Sequence, residues 1–305
     1  VNEEWYCDKG RWAFKYVTSV DRLTTPMVRN SSGELVAASW PEALTAAAKG
    51  LKASKAAVLV GGRATYEDAY GYSKFARVAL GTNDIDFRSR LSSNEEREFL
   101  AARVVGSTTT YLDIDRADHV LLVGFEPEEE SPIVFLRINK QVRKRALKVT
   151  AIATKLSIGV EKLKGEFVKV APGAEASAIA SQSLTAKSVI LVGERAAESA
   201  GVLSAVAALA DSTKAKIAWI PRRAGERGAL EAGAIGNLLP GGRPVTDASA
   251  RVDIAAVWGV DSLPSAEGKS AQEIYAAVNA GEIGALLVGG VDPLDGDNSQ
   301  GALAA

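Results

Sequence analysis

Four short apolar runs that stop on glycine constrain the fold of this chain more than any other feature. Ala57-Val58-Leu59-Val60 ends on Gly61-Gly62, and Val120-Leu121-Leu122-Val123 ends on Gly124. Val189-Ile190-Leu191-Val192 ends on Gly193, and Leu286-Leu287-Val288 ends on Gly289-Gly290. None alternates apolar with polar residues. A strand reads this way when helices cover both faces of its sheet, as they do in parallel sheets. Helical patterns lie between the runs, so the sequence predicts an α/β fold of open, mostly parallel sheets flanked by helices. In such sheets ligands bind beyond the carboxyl ends of the strands. The glycines stand at those ends.

Bulk properties narrow the function classes. A chain of 305 residues is long enough for two domains, each with its own core. A net charge of −1 argues against a general nucleic-acid binder, which needs a basic face. No apolar run approaches the roughly 18 residues that cross a bilayer, so no direct membrane span is expected. The opening Val1-Asn2-Glu3-Glu4 has no basic segment followed by an apolar one, hence no visible signal peptide. A single cysteine excludes an internal disulfide and fits a reducing compartment. The chain starts without methionine and stops just after an apolar strand and an acidic loop, which suggests a piece of something longer.

In chain order, residues 1–39 read as an irregular lead-in with a turn at Ser32-Gly33. Ser39 caps a helix that runs from Trp40 to about Leu51, and Glu42 completes an S-x-x-E capping box. Ile85-Asp86-Phe87-Arg88 reads as a short exposed extended piece. Glu128, Glu129 and Glu130 precede a helix whose far end carries Lys140, Arg143, Lys144 and Arg145, a charge order that complements the helix dipole. Residues 157–175 read as loop, and 221–250 as Gly-, Pro- and Arg-rich with one helical turn near Leu230.

Few residue patterns carry chemistry by themselves. Gly61-Gly62-Arg63 lies between a strand and a helix start, where it can cradle a phosphate or simply make a tight turn. It is neither G-x-G-x-x-G nor a Gly-Lys-Ser/Thr loop. Arg222, Arg223 and Arg227 stand among glycines and read either as an anion grip or as a pin between domains. His119 is the only histidine; lacking a second histidine or a serine-nucleophile motif, it reads as a strand-edge residue. Cys7 cannot hold an iron–sulfur cluster alone, since such clusters need about four protein ligands.

Taken together, several stretches carry a resemblance. Cys7-Asp8-Lys9-Gly10-Arg11 resembles the end of the iron–sulfur segment in the molybdopterin oxidoreductase superfamily, where the fourth cluster cysteine opens C-x-K-G-R. Arg22-Leu23-Thr24-Thr25-Pro26 is similar to its R-L-x-x-P segment, and Ser39-Trp40-Pro41-Glu42-Ala43-Leu44 to its S-W-x-E-A-L helix start. Trp258 to Pro264 and Gly281 to Pro293 resemble late landmarks of the superfamily. Within it, Gly61 to Tyr70, Asp86 to Arg90, Glu126 to Pro132 and Pro221 to Leu230 resemble the actinobacterial branch of one family, the G subunits of bacterial NADH-quinone oxidoreductase, respiratory complex I.

The resemblance implies one α/β domain inserted in another. Residues 1–39 would end an iron–sulfur segment, 40–106 and 184–305 would form the main domain, and 107–183 the smaller insert. Cys7 would be the fourth ligand of a 4Fe-4S cluster whose first three cysteines are absent from this chain. Lys9 would bridge that cluster and a pterin, with Gly61, Gly62 and Arg63 as further cofactor-facing positions. No cysteine or serine stands in an identifiable molybdenum-ligating position, so the resemblance implies a molybdopterin-type scaffold, with a retained pterin as the alternative. It assigns no catalytic residue to the chain. The implied partners are the other peripheral-arm subunits of the complex, on the cytoplasmic side of the cell membrane. Two competing readings are an active molybdopterin oxidoreductase of the formate dehydrogenase type and a non-redox α/β binding module.

Overall fold

A computed structural model describes Tyr6, residues 8–90 and residues 92–295. Two short antiparallel pairs, β1 (Met27–Arg29) with β2 (Leu35–Ala37) and β10 (Leu238–Leu239) with β11 (Arg243–Pro244), accompany a framework of two parallel sheets. In the smaller sheet β3 (Ala56–Val60) is central, with β4 (Ile85–Asp86) on one side and β12 (Ala285–Gly289) on the other. The larger comprises β5 (His119–Val123), β6 (Lys148–Ala153), β7 (Glu166–Lys169), β8 (Val189–Gly193) and β9 (Lys216–Ile220), in the order β7-β6-β5-β8-β9. The chain leaves β5 outward through β6 to β7, then crosses back to β8 and β9 on the far side. The strand order therefore reverses between β5 and β8.

The missing alternation in the glycine-ended runs has a direct cause. In β3, Val58 and Val60 pack with Ala69 and Ala76 from helix Tyr66–Val78. Its neighbours Ala57 and Leu59 pack with Ile274 and Tyr275 from helix Ala271–Asn279 on the opposite face. β5 repeats the arrangement: Val120 and Leu122 meet Val134 and Ile138 of helix Pro132–Arg145, while Leu121 and Val123 share a cluster with Val202 and Val206 of helix Val202–Thr213. Both faces are covered, so every position must be apolar. One core cluster contains residues of β3, β5 and β8 together with Phe99, Leu100 and Leu230, and so joins the two sheets.

The helix caps follow the sequence closely. Ser39 accepts the Glu42 amide, and Glu42 Oε2 accepts the Ser39 amide at 2.8 Å, closing the capping box of helix Trp40–Ala53. Ser270 and Glu273 do the same for helix Ala271–Asn279.

Four details differ from the sequence reading. The lead-in contains the β1–β2 hairpin, because Asn30 Oδ1 accepts the Ser32 and Glu34 amides and Gly33 takes a positive φ. β7 lies where loop was expected, as an edge strand with charged ends, and helix Ala248–Trp258, capped by Asp247, begins at the end of the stretch read as irregular. Ile85 to Arg88 is not exposed; all four residues are buried, because β4 pairs with β3 in parallel and its charges are neutralised inside the protein. Finally, β8 pairs with β5, Val120 opposite Val189, and β9 pairs with β8, so the strands at 189–220 belong to the sheet of the expected insert and not to that of residues 40–106.

Candidate functional site

The carboxyl ends of β3, β4, β8 and β12 converge, and segment 221–231 lies across them. Gly61 donates its amide to Gly289 O at 2.7 Å, and the Gly225 amide donates to Gly62 O at 2.8 Å. A Cβ at Gly62 would come within 2.5 Å of Glu226 Cγ and 2.6 Å of Arg223 Cβ. One at Gly225 would stand 2.2 Å from Ala64 O. These glycines therefore permit close backbone apposition. The space left above them, lined by Gly62, Arg63, Ser89, Arg223, Glu226 and Asp292, is about 10 Å³, room for roughly one water. A pterin does not fit there. Arg63 itself is exposed.

Beneath this joint lies a buried ionic network. Arg88, 1% exposed, bonds Asp86 Oδ2 at 3.0 Å and Glu96 Oε2 at 3.2 Å. Arg90 reaches Glu96 Oε1 at 2.7 Å and Glu194 Oε2 at 3.3 Å. Glu194 also accepts the Arg222 backbone amide at 2.7 Å, and Arg223 bonds Glu226 Oε1 at 3.2 Å. The network thus ties β4, helix Asn94–Phe99, the end of β8 and helix Glu226–Glu231 to one another. Burial pulls the Arg88 guanidinium down, but Asp86 and Glu96 more than offset this and hold it above its ordinary value. Burial, and then contact with Glu194, push the Glu226 carboxyl up to about 8. Burial raises Glu194 too, yet the hydrogen bond with Glu226 and the charge of Arg90 leave it below the usual carboxylate range.

The arginines of the 221–231 segment are engaged within the protein. The Arg222 guanidinium lies 3.8 Å from Glu130, and Arg227 pairs with Glu231 and reaches Ser107 O at 3.4 Å. The arrangement is that of a pin between the sheets.

A second concave region lies at the carboxyl ends of β5 and β6, beside the point where the strand order reverses. Its volume is about 400 Å³, and Gly124, Glu126, Glu129, Lys155, Ser157 and Arg195 line it. Open α/β sheets place ligands in this position, and the volume suits a small molecule. Glu126 accepts the Ser157 hydroxyl, and Arg195 bonds Glu130 at 2.7 Å. The switch point itself is closed by glycines, since a Cβ at Gly193 would stand 2.3 Å from Gly124 O. Its polar groups can orient a ligand, and the Ser157 hydroxyl bonded to the Glu126 carboxylate puts a hydroxyl–base contact among them.

Cys7 lies outside the described residues. Lys9 belongs to the short helix Asp8–Trp12. Among the described residues, no group of three or more His, Cys, Asp or Glu side chains is placed to hold a metal ion. His119 is the first residue of the central strand β5; its Nε2 lies 2.8 Å from Thr150 Oγ1, and burial, reinforced by Lys148, lowers its pKa. The sequence reading missed Arg77, a buried guanidinium that donates to Asn83 Oδ1 and to the carbonyls of Gly233, Ile235 and Leu238. It also donates to Ser73 one helical turn back, but the three carbonyls that hold it in the fold lie about 160 residues away.

Comparison with known proteins agrees with this architecture. The family model "Molybdopterin oxidoreductase" matches residues 22–299. The chain is 51% identical to the NADH-quinone oxidoreductase G subunit of Mycobacterium bovis, over 100% of the chain and 40% of that protein. It is also 51% identical to the corresponding G subunit of Streptomyces coelicolor, over 97% of the chain and 39% of the relative. An F420-dependent formate dehydrogenase subunit alpha of Methanocaldococcus jannaschii is 34% identical over 59% of the chain and 27% of its own length. The chain thus spans about 40% of the length of its G-subunit relatives. With open parallel sheets flanked by helices and a family match over nearly all of its length, the chain belongs to the molybdopterin oxidoreductase family.

Proposed function

We propose that the chain is part of the G subunit of an NADH-quinone oxidoreductase, and that its pterin-type domain acts as scaffold in electron transfer from NADH to quinone. The observation that carries this reading is the filled space above Gly61 and Gly62, where segment 221–231 packs against the strand ends and leaves room for about one water. In this reading the chain performs no catalysis alone. Cys7 supplies the fourth thiolate of a 4Fe-4S cluster completed by cysteines elsewhere in the full-length protein, and Lys9 follows it two residues on. Of Gly61, Gly62 and Arg63, only Arg63 has a side chain free to meet an anion.

The partners in this reading are the other peripheral-arm subunits, on the cytoplasmic side of the membrane. Exposed aromatics support burial in a larger assembly: Trp12, Phe14, Tyr16 and Trp40 are each more than half exposed, and helix Trp40–Ala53 has no buried residue. Large apolar side chains left this open to solvent in number suit a surface that another subunit covers. No helix among the described residues is long and apolar enough to cross a membrane.

The test uses the full-length protein. Cys7→Ser is expected to remove the iron and labile sulfide of one tetranuclear cluster, with pterin fluorescence absent before and after. Unchanged iron content would remove Cys7 from the ligand set. Stoichiometric pterin would instead favour an active enzyme related to the formate dehydrogenases.

A further inference from the structure

We propose that Glu194 and Glu226 hold one proton between them, and that this shared proton clamps segment 222–226 onto the ends of β3 and β8. The two carboxyl groups close on the same short segment, Glu194 accepting the Arg222 amide at 2.7 Å and Glu226 the Arg223 guanidinium at 3.2 Å, and each acts on the ionisation of the other. Ionised carboxylates only accept hydrogen bonds and repel one another, so a buried pair of this kind is relieved by a proton on one of them. Both residues are buried, at 4% and 1% exposure. Glu226 Oε1 takes the Arg223 guanidinium, whereas Oε2 has no partner. A proton on Oε2 supplies the donor that the pair lacks.

The charges around the pair agree. Four buried acids, Asp86, Glu96, Glu194 and Glu226, face three guanidiniums, those of Arg88, Arg90 and Arg223. The remaining guanidiniums, those of Arg195 and Arg222, are exposed to solvent at 41% and 46%, so screening weakens their effect on the buried pair. Arg222 gives Glu194 only its backbone amide and turns its side chain toward Glu130, which Arg195 already holds. Arg63 and Asp292, one of each sign and both exposed, line the small cavity beside Glu226. One proton removes the excess.

When the proton leaves to solvent, two like charges face each other in a site with little water. The contacts that hold the segment, Gly225 amide to Gly62 O and Arg222 amide to Glu194, then open more often. The closed form keeps its proton to about pH 8, whereas an opened glutamate titrates near its ordinary value of about 4.5. Because the closed form binds more protons, protection weakens as pH rises between these values and levels off above them.

Hydrogen exchange of the chain, corrected for intrinsic rates, tests this. Protection of the Gly225 amide is expected to fall by at least about tenfold between pH 5 and pH 8, within the limit of tenfold per pH unit set by a single proton. In Glu226→Gln it is expected to stay flat over the same range. Glu194→Gln, which leaves Glu226 without its charged neighbour, is expected to move the fall to lower pH. Infrared spectra of the unmodified protein should show a protonated-carboxyl band at pH 6 that is lost by pH 9.5, whether or not either variant folds. Protection constant to within about threefold, a pH slope that survives in Glu226→Gln, or the absence of that band would each overturn the proposal.

Discussion

Replacing Arg88 with methionine is expected to lower the unfolding free energy by about 3–5 kcal/mol, the range for removing one partner of a buried ion pair. Arg88 is 1% exposed and Asp86 is fully buried. The guanidinium makes two bonds to Asp86 Oδ1 and Oδ2, at 3.1 and 3.0 Å, and a third to Glu96 at 3.2 Å. Methionine fills much of the volume but leaves both carboxylates buried. Glu96 retains Arg90; Asp86 retains only the backbone amides of Arg88 and Ala271. The loss arises from stranded charge, not from the worth of the pair itself. Arg88→Lys should recover only part of it, since an ammonium cannot form the planar fork. The comparison is Arg103→Met. Arg103 bonds Asp211 at 2.6 Å, shorter than any Arg88 contact, but the side chains are 35% and 57% exposed, so its loss should cost under about 1 kcal/mol. Urea unfolding measures both. A midpoint for Arg88→Met as close to that of the parent as the midpoint of Arg103→Met would overturn this expectation.

This network also marks where the sequence stopped being informative. The apolar runs at β3, β5 and β8 were legible because two-sided burial forces every side chain in the strand to be apolar, whereas β12, an edge strand of the same pattern, is only half-buried and leaves Val288 exposed. Caps such as Ser39 with Glu42 were legible because their partners lie three residues apart. Asp86 and Arg88 misled because a charged pair normally signals solvent, and only β4's place beside β3 shows that the two charges neutralise each other indoors. Arg77 stayed hidden for the same reason, as three of its acceptors are carbonyls near residue 235. The return of β8 to pair with β5 was invisible too, since strand order is set by crossovers that leave no local trace. At the candidate site, the choice between phosphate cradle and tight turn at Gly61-Gly62 turned on what stands opposite those glycines in space.

That choice leads to the second large effect. Gly61→Ala is expected to destabilise the chain by about 3 kcal/mol or more, the upper range for forcing an extra methyl into packed structure. Its Cβ would stand 1.7 Å from Gly290 O, 2.1 Å from Gly290 C and 2.5 Å from Val291 N. All three are backbone atoms, which cannot rotate aside as a side chain can. Relief therefore requires β3 and β12 to part at their carboxyl ends and to lose the Gly61 amide bond to Gly289 O. Gly71→Ala is the opposing control. Gly71 lies exposed within helix Tyr66–Val78 with nothing within 4 Å of its Cβ position, so alanine there should stabilise by about 0.5–1 kcal/mol. Thermal melts of the two variants should move in opposite directions from the parent. A glycine kept for a ligand's approach would leave its Cβ direction open until the ligand arrives, and alanine would then spare stability while weakening binding. At Gly61 that direction is already filled by the protein's own backbone, so the damage should appear in the melt of the chain with no ligand present.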